Sequence, residues 1–206
     1  MAASAPAVKR DEDLEDRIIR EFSSRARRNG PKAIVMADLA RDLQISTKTL
    51  YRLFPTKADL VHRMMTQWAN RFARDLDAAD DDEVERDEGM PFVGQLVASS
   101  RVWQVSRRRF GGTFWEELER DYPASFELFV EARARLRRQI LERLEPHMAH
   151  SVDPEFAMEL FDAALARAID PRVLARTGVE PRAAIGQAVR IWAAGALVQP
   201  LRRRSS

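Results

Sequence analysis

The chain of 206 residues carries a net charge of only +2, with 45% hydrophobic and 32% charged residues. These values are typical of one folded domain, or of a small module joined to a larger one, and they exclude an intrinsically disordered chain. There is no cysteine, which excludes disulfides, thiolate nucleophiles and cysteine-based metal sites.

Neither a secretory signal nor a membrane span is predicted. The first residues, MAASAPAV, lack a basic segment followed by an apolar one, as a signal peptide requires. No apolar run approaches the ~20 residues of a transmembrane helix. We therefore expect a cytoplasmic protein with no membrane partner.

Apolar residues recur at helical spacing along most of the chain, and no segment alternates as a half-buried strand does. Glycine and proline lie mainly between these segments, where they end or begin helices. The sequence therefore predicts an all-α fold, with helices over residues 12–28, 36–43, 47–54, 56–77, 91–109, 113–121, 123–146, 154–169 and 181–199.

Lysine is confined to the N-terminal part of the chain, and all other positive side chains are arginine. The four lysines all lie within the first 57 residues, whereas an acidic run, DLDAADDDEVERDE, occupies residues 75–88. A basic front followed by an acidic segment favours contact between the front and a polyanion. The alternative is an ordinary solvated surface of mixed charge.

The third predicted helix, residues 47–54, has an apolar side and a basic side. On a helical wheel of ~100° per residue, Lys48 and Arg52 point away from the apolar side. Lysine and arginine bind phosphate or the edge of guanine, and hydroxyl groups donate to phosphate oxygens. The apolar side carries Leu50, Leu53 and Phe54, and Thr49 and Tyr51 flank it.

Two short helices, 36–43 and 47–54, are joined by a turn of three residues. Ser46 is a suitable N-cap for the second helix. Ala40 is small where the helices would cross, and Ile45 and Leu50 supply the apolar contacts of a helix-turn-helix unit. The alternative is a helical hairpin whose polar side faces water.

Residues 18–60 resemble the N-terminal DNA-binding domain of TetR-family transcriptional regulators. The likeness rests on ADLARDL as the second helix, ISTKTLYRLF as turn and recognition helix, and FPTKADL at the start of the fourth helix. It implies a homodimer in which three N-terminal helices bind double-stranded DNA and a larger helical domain binds a small-molecule effector. The implied domains are a flexible arm (1–10), a helix-turn-helix domain (11–56), a ligand-binding and dimerisation domain (57–200) and a tail (201–206).

The resemblance also implies roles for residues in the recognition helix. Thr47 and Lys48 would approach bases, Thr49 and Tyr51 would bind phosphate, and Arg52 would do either. Lys57, at the start of the fourth helix, would hold a backbone phosphate. The two recognition helices of a symmetric dimer would lie ~34–36 Å apart and match a palindromic operator.

Three residues depart from the family pattern. Gln44 stands in the turn where glycine is usual, and a positive φ there would cost on the order of 1 kcal/mol. Val35 replaces the threonine that usually caps the second helix and touches DNA. Lys48 replaces a small residue, so the DNA sequence preference cannot be transferred from relatives.

Bulky aromatic residues of the larger domain are candidates for an effector pocket. Aromatic side chains at helical spacing also fill ordinary cores, and that alternative stays open. The predicted pocket residues are Trp68, Trp103, Phe114, Trp115 and Phe129.

The helices 154–169 and 181–199 carry broad apolar stripes rich in alanine, which suit the four-helix dimer interface that the resemblance implies. Alternatively, both stripes are buried within their own subunit. The predicted interface residues are Phe161, Leu165, Ile185, Val189 and Trp192.

Two further clusters are weak candidates for sites. Arg107–Arg109 is a solvated helix end or a second phosphate-binding site. His147 and His150 stand near two glutamates but are separated from them by Pro146, so we expect no metal site. We expect no cofactor either, and the sequence shows no phosphate loop or nucleophile-base spacing of an enzyme.

These features predict a ligand-responsive DNA-binding regulator, a repressor released from its operator by an effector. The alternative is a DNA-binding dimer whose C-terminal domain only dimerises or recruits a partner.

Overall fold

The computed structural model describes residues 5–81 and 92–197, with side chains over 11–79 and 92–197. The regular elements within these ranges are ten α-helices and one short 3-10 helix, which confirms the predicted all-α fold. The α-helices are α1 (Ala5–Asn29), α2 (Met36–Asp42), α3 (Thr47–Leu53), α4 (Lys57–Asp81), α5 (Val93–Arg108), α6 (Gly112–Asp121), α7 (Pro123–Leu144), α8 (Pro154–Ala168), α9 (Pro171–Thr177) and α10 (Pro181–Ala196).

Helix α1 begins at Ala5 and includes six residues of the segment that was predicted to be a flexible arm. Pro6 does not interrupt it, because the first turn of a helix needs no backbone N–H from that position. The predicted helix start at 91, the helix end at 198–199 and the tail lie outside the described residues.

Helix α9 is an element that the sequence did not predict. The Asp170 side chain accepts from the Arg172 backbone N–H at 2.7 Å and begins the helix. Gly178 ends it with a left-handed φ of 68°. Seven residues cover only two turns, too few for apolar periodicity to be recognised.

Residue contacts divide the chain into two compact units. The first unit is formed by Met1–Arg71 and Arg107–Glu131, and the second by Phe72–Ser106 and Ala132–Ser206. The first unit holds α1, α2, α3 and α6 whole, and the second holds α8, α9 and α10.

The core of the first unit joins α1 to the two short helices. Ile18 and Phe22 of α1 are fully buried, as are Leu39 of α2, Leu50 of α3 and Leu60 of α4. Helices of seven residues are not stable alone. Burial of these side chains against α1 and α4 therefore holds α2 and α3 in place.

The second unit is held together by α8 and α10, which make an extensive mutual contact. Trp192 of α10 donates its indole N–H to the Ala157 carbonyl of α8 at 2.8 Å. Arg137 of α7 forms ion pairs with Glu155 and Glu159 of α8 at 2.8 and 2.7 Å. These contacts fix α8 between α7 and α10.

Candidate nucleic-acid interface

The turn between α2 and α3 is a Schellman motif. The Ile45 N–H donates to the Ala40 carbonyl and the Gln44 N–H to the Arg41 carbonyl, both at 3.0 Å. This pattern requires a left-handed residue after the helix end, and Gln44 has a φ of 57°. The sequence departure at Gln44 therefore falls on a backbone position that favours glycine.

Helix α3 begins at a side-chain cap, as predicted. The Ser46 Oγ accepts from the Thr49 backbone N–H at 3.0 Å and lies 2.8 Å from the Thr49 hydroxyl. Leu50 is fully buried, and Ala40 on the facing helix is buried too. The cap fixes one end of α3, and burial fixes its inner side.

The start of α2 has no such cap. Val35 occupies the N-cap position with an extended backbone, and its side chain is 56% exposed. A valine offers no oxygen to the free N–H groups of the first turn. Val35 has no hydroxyl group, so it cannot make the DNA contact that the resemblance implies at this position.

The outer side of α3 presents a row of polar groups. Thr47 and Lys48 are exposed, and Tyr51 is 48% exposed. Neither Thr47 nor Lys48 has a polar partner among the residues that the structure describes. Thr49 is half-buried and its hydroxyl is directed at the N-cap serine, so it contributes more to the helix start than to the row.

Arg52 does not project alone. Its guanidinium donates two hydrogen bonds of 2.9 Å to the two carboxylate oxygens of Asp11 on α1. The guanidinium lowers the pKa of the Asp11 carboxyl, chiefly through these hydrogen bonds. Contact between Arg52 and DNA therefore requires that this pair open or share the cation.

Lys57 lies over the loop between α1 and α2. Its ammonium donates to the Lys32 carbonyl at 3.0 Å and, more weakly, to the Pro31 carbonyl at 3.4 Å. Burial lowers the pKa of the Lys57 ammonium, and the nearby Glu117 carboxylate opposes that shift. Lys57, which the resemblance implies would hold a DNA phosphate, thus already supports the loop between α1 and α2 through these hydrogen bonds.

A capping box starts α4 beside this lysine. The Thr56 hydroxyl accepts from the Asp59 N–H at 3.1 Å, and the Asp59 carboxylate accepts from the Thr56 N–H at 2.8 Å. Two backbone donors are satisfied reciprocally. This fixes the first turn of α4.

Helix α6 reaches the same loop. The Glu117 carboxylate accepts from the Lys32 backbone N–H at 2.8 Å. A Cβ added to Gly30, whose φ is 77°, would lie within 3 Å of that carboxylate. Glycine at this position therefore permits both the left-handed turn after α1 and the close approach of α6.

Solved structures with similar architecture were found at low sequence identity. A transcriptional regulator from Rhodococcus sp. Rha1 has a TM-score of 0.64 and 17% identity, over 90% of this chain and 99% of its own. The TetR-family regulator PfmR from Thermus thermophilus has a TM-score of 0.60 and 18% identity, over 87% and 98%. A TetR-family regulator from Agrobacterium tumefaciens has a TM-score of 0.59 and 18% identity, over 91% and 100%.

The chain has the TetR fold. The fold implied by the motif resemblance is therefore confirmed. No protein-family model matches the sequence, and no curated protein is similar to it in sequence.

The five aromatic residues predicted to form a pocket are divided between the two compact units. Four of them pack on one another in the first unit, with ring centroids 4.6–5.9 Å apart along Trp68, Trp115, Phe129 and Phe114. Trp103 lies in the second unit, 5.4 Å from Phe72. The four rings of the first unit pack as a core, the alternative noted from their spacing, and the common pocket stays a prediction.

A small cavity of about 30 Å³ lies in the second unit, between α5, α7 and α8. Trp103 and Ser100 line it. The buried Ser100 Oγ and Gln104 Oε1 have no hydrogen-bond partner in the described part of the chain. Buried polar atoms of this kind call for a partner, such as water or a ligand.

The predicted dimer residues also need correction. Phe161, Leu165, Ile185 and Val189 are buried where α8 and α10 pack on each other, and Trp192 is half-buried and bonded to α8. These side chains are already covered by their own subunit. The large apolar side chains that α8 and α10 leave exposed are Phe156, Leu160 and Ile191.

Several contacts around the site had no signal in the sequence. Asp11 pairs with Arg52 across 41 residues, and Glu117 bonds the Lys32 N–H across 85.

None of the helices in the described ranges is long and apolar enough to cross a membrane. Within the same ranges, no three His, Asp or Glu side chains lie close enough together to hold a metal ion.

Proposed function

We propose that this protein is a dimeric transcriptional regulator that reads palindromic DNA with α3 and is released from it by a small-molecule effector. The observation that carries the proposal is the exposed row Thr47, Lys48 and Tyr51 on a helix held by a cap and a buried inner side. The TetR fold supports it, because regulators share this architecture.

The side chains of the row have distinct chemistry towards DNA. Lys48 is a long cation that can donate to guanine O6 and N7 in the major groove. The Tyr51 phenol donates to a phosphate oxygen, which fixes register but carries no sequence information. Sequence preference in this proposal therefore depends on Lys48 and Thr47.

Dimerisation would use the exposed apolar side chains of α8 and α10. Phe156 and Leu160 are four residues apart and lie on one side of α8, and Ile191 is the most exposed large apolar residue described. A symmetric pair of α8 and α10 helices would cover them in both subunits. Exposed apolar residues on adjoining helices are typical of such contacts.

Effector response would begin at the small cavity of the second unit. Ser100 offers an unpartnered polar atom there, and Trp103 offers an apolar wall. An effector acts only if it prefers the conformation whose recognition helices do not fit the operator. In that case the cavity must enlarge on binding.

The size of this cavity also favours a second candidate function. About 30 Å³ holds little more than a water molecule, which suits a packed dimerisation domain without an effector. A thermal-shift screen against varied metabolites separates the two functions. A ligand that raises Tm and lowers DNA affinity supports the effector, whereas an unresponsive protein supports dimerisation alone.

DNA selection with the purified protein tests the central proposal. We expect a palindromic motif, and we expect Lys48→Ala to change the preferred bases. Arg176→Ala, which removes an exposed cation from α9, is the matched control and should leave the motif unchanged. Selection of unrelated sequences would overturn the proposal, and an unaltered motif for Lys48→Ala would overturn the base-reading role.

A further inference from the structure

The first unit contains a second concave surface, far larger than the cavity described above. It is an open cleft of about 280 Å³ between α1, α4 and the residues that join α5 to α6. Its apolar lining includes Met64, Trp68 and Phe110, all of them buried side chains. The cleft thus has an apolar floor that includes two aromatic side chains.

Arginine side chains surround this floor. Arg20 and Arg27 are seven residues apart on α1, so they lie two turns apart on one side of the helix. Arg71 comes from α4, and Arg109 from the end of the arginine run after α5. None of the described side chains that line the cleft is acidic.

Two other arginines of α1 and α4 are held by acidic side chains. Arg25 is paired with Glu21 and Asp42, and Arg63 is paired with Glu15. Arg20, Arg71 and Arg109 have no acidic partner within residues 11–79 and 92–197. Arg27 lies over the Phe110 ring, 5.5 Å from its centroid.

Several unpaired cations around one depression create a local positive potential, which an apolar floor strengthens by excluding water. Guanidinium groups match the paired oxygens of carboxylates, phosphates and sulfonates. Ser23, Ser24 and Gln67 add polar groups to the lining. The apolar floor favours an apolar body, and the rim favours an anionic group.

We propose that this cleft binds a small organic anion with an apolar body, such as an aromatic carboxylate or sulfonate. A DNA backbone offers phosphates but no apolar group to cover Trp68 and Phe110, so the cleft suits a small molecule better than a duplex. The binding site is separate from the exposed row of α3 and from the cavity of the second unit.

Binding at the cleft has a direct route to the helix-turn-helix unit, and this consequence rests on the proposed function. Gln67 lines the cleft and donates to Asp16 of α1 at 2.9 Å. The same helix holds Arg52 of α3 through Asp11. An anion that draws the cleft arginines together would therefore act on the helix that positions α3.

Titration calorimetry with naphthalene-2-sulfonate as the probe tests the site in the full chain without DNA. We expect saturable binding that is at least about tenfold tighter than that of neutral 2-naphthol, because charge-assisted hydrogen bonds are the stronger kind. Inorganic sulfate should bind more weakly than the probe, because it leaves the aromatic floor uncovered. Equal binding of the neutral compound, or no binding of the probe at millimolar concentration, would overturn the proposal.

Arg71→Gln and Arg109→Gln should each weaken probe binding by about tenfold, the effect of one charge-assisted contact. Arg120→Gln changes an exposed arginine of α6 outside the cleft and should leave binding unchanged. Two variants are used so that a failure of one to fold, judged by circular dichroism, leaves the other to decide. Unchanged probe binding in both, or a loss of DNA binding alone, would refute the small-anion site.

The titration without DNA tests the cleft whether or not the proposed DNA-binding function is correct. A protein that selects no DNA motif can still bind the probe, and a protein that selects a motif can fail to bind it.

Discussion

Gln44 has a backbone conformation that suits glycine better than glutamine. It is the described non-glycine residue with positive φ, and it lies in the Schellman motif that sets the angle between α2 and α3. A left-handed backbone conformation costs an L-residue about 1–2 kcal/mol. Glycine avoids this cost, but the greater conformational entropy that it gives the unfolded chain cancels part of the gain. The turn is thus less stable than its hydrogen bonds alone would allow.

We expect Gln44→Gly to raise the free energy of unfolding by about 0.5–1 kcal/mol, since glycine removes the strain at positive φ. Urea denaturation followed by circular dichroism measures the change. Gln44→Ala is the control, because alanine keeps the strain and should give no gain. A loss of stability in Gln44→Gly would show that the glutamine side chain makes a contact of greater value.

Arg52 is divided between an internal partner and the proposed DNA contact. Its side chain is 56% exposed even while it pairs with Asp11. We expect Asp11→Asn to raise DNA affinity roughly threefold at low salt, because it removes a negative charge and releases a cation for phosphate. Fluorescence anisotropy with a selected operator measures the effect.

Asp13→Asn is the matched control, since Asp13 is an exposed carboxylate on the same helix with no polar partner in the described ranges. If Asp13→Asn raises DNA affinity as much as Asp11→Asn does, the gain in affinity comes from net charge alone.

The same pair has a defined pH dependence. The pKa of Asp11 is lowered in the folded state, so its stabilisation is present above the unfolded value of about 3.9 and is lost as pH falls through the folded pKa. The stability difference between wild type and Asp11→Asn should therefore be constant near neutrality and shrink below about pH 4. Urea denaturation at several pH values would show it.

At the scale of elements, the short helices α2 and α3 differ in how they begin. Helix α3 has the Ser46 cap, whereas α2 begins at Val35, which supplies no acceptor. We expect Val35→Thr to raise the free energy of unfolding by about 0.5–1 kcal/mol, because a threonine hydroxyl satisfies one free N–H. Thermal and urea unfolding would measure it.

Val35→Ala is the control for the change at position 35, because it shortens the side chain without adding an acceptor. Stabilisation by alanine to the same degree would mean that removing exposed valine, rather than capping, is responsible. If the new hydroxyl also reaches phosphate, DNA affinity should rise in the threonine variant alone.

The elements that the sequence predicted well are those with strong local signals. Helices α2 and α3 were located within one residue of their observed ends, because apolar spacing marks α2, and the Ser46 cap and Pro55 mark the limits of α3. Helix α9 was missed, since Asp170 and Gly178 enclose only seven residues. The prediction began α1 at residue 12, whereas the helix begins at Ala5. The helix extends that far because Pro6 lies in its first turn, where proline is tolerated.

At the scale of the whole molecule, the proposed dimer depends on which apolar residues remain exposed. Ile191 is 75% exposed, so a charge there costs the folded subunit little. We expect Ile191→Glu to convert the dimer to a monomer while leaving Tm of the subunit nearly unchanged. Size-exclusion chromatography with light scattering measures the mass.

Val105→Glu places the same charge at an exposed valine of α5 and is the matched control. Val189→Glu offers a contrast, because Val189 is fully buried and the variant should unfold rather than dissociate. A dimer that survives Ile191→Glu would exclude this face as the interface.

Most of the helices, the helix-turn-helix unit and the outer side of α3 could be predicted from the sequence, because caps, turns and apolar spacing act within a few residues of one another. The partners of Arg52 and Lys57, and the side of α8 and α10 that stays uncovered, could not be predicted. These depend on contacts between distant parts of the chain, such as Arg52 with Asp11 and Lys32 with Glu117. Local periodicity shows that a helix side is apolar, but packing decides which neighbour covers it.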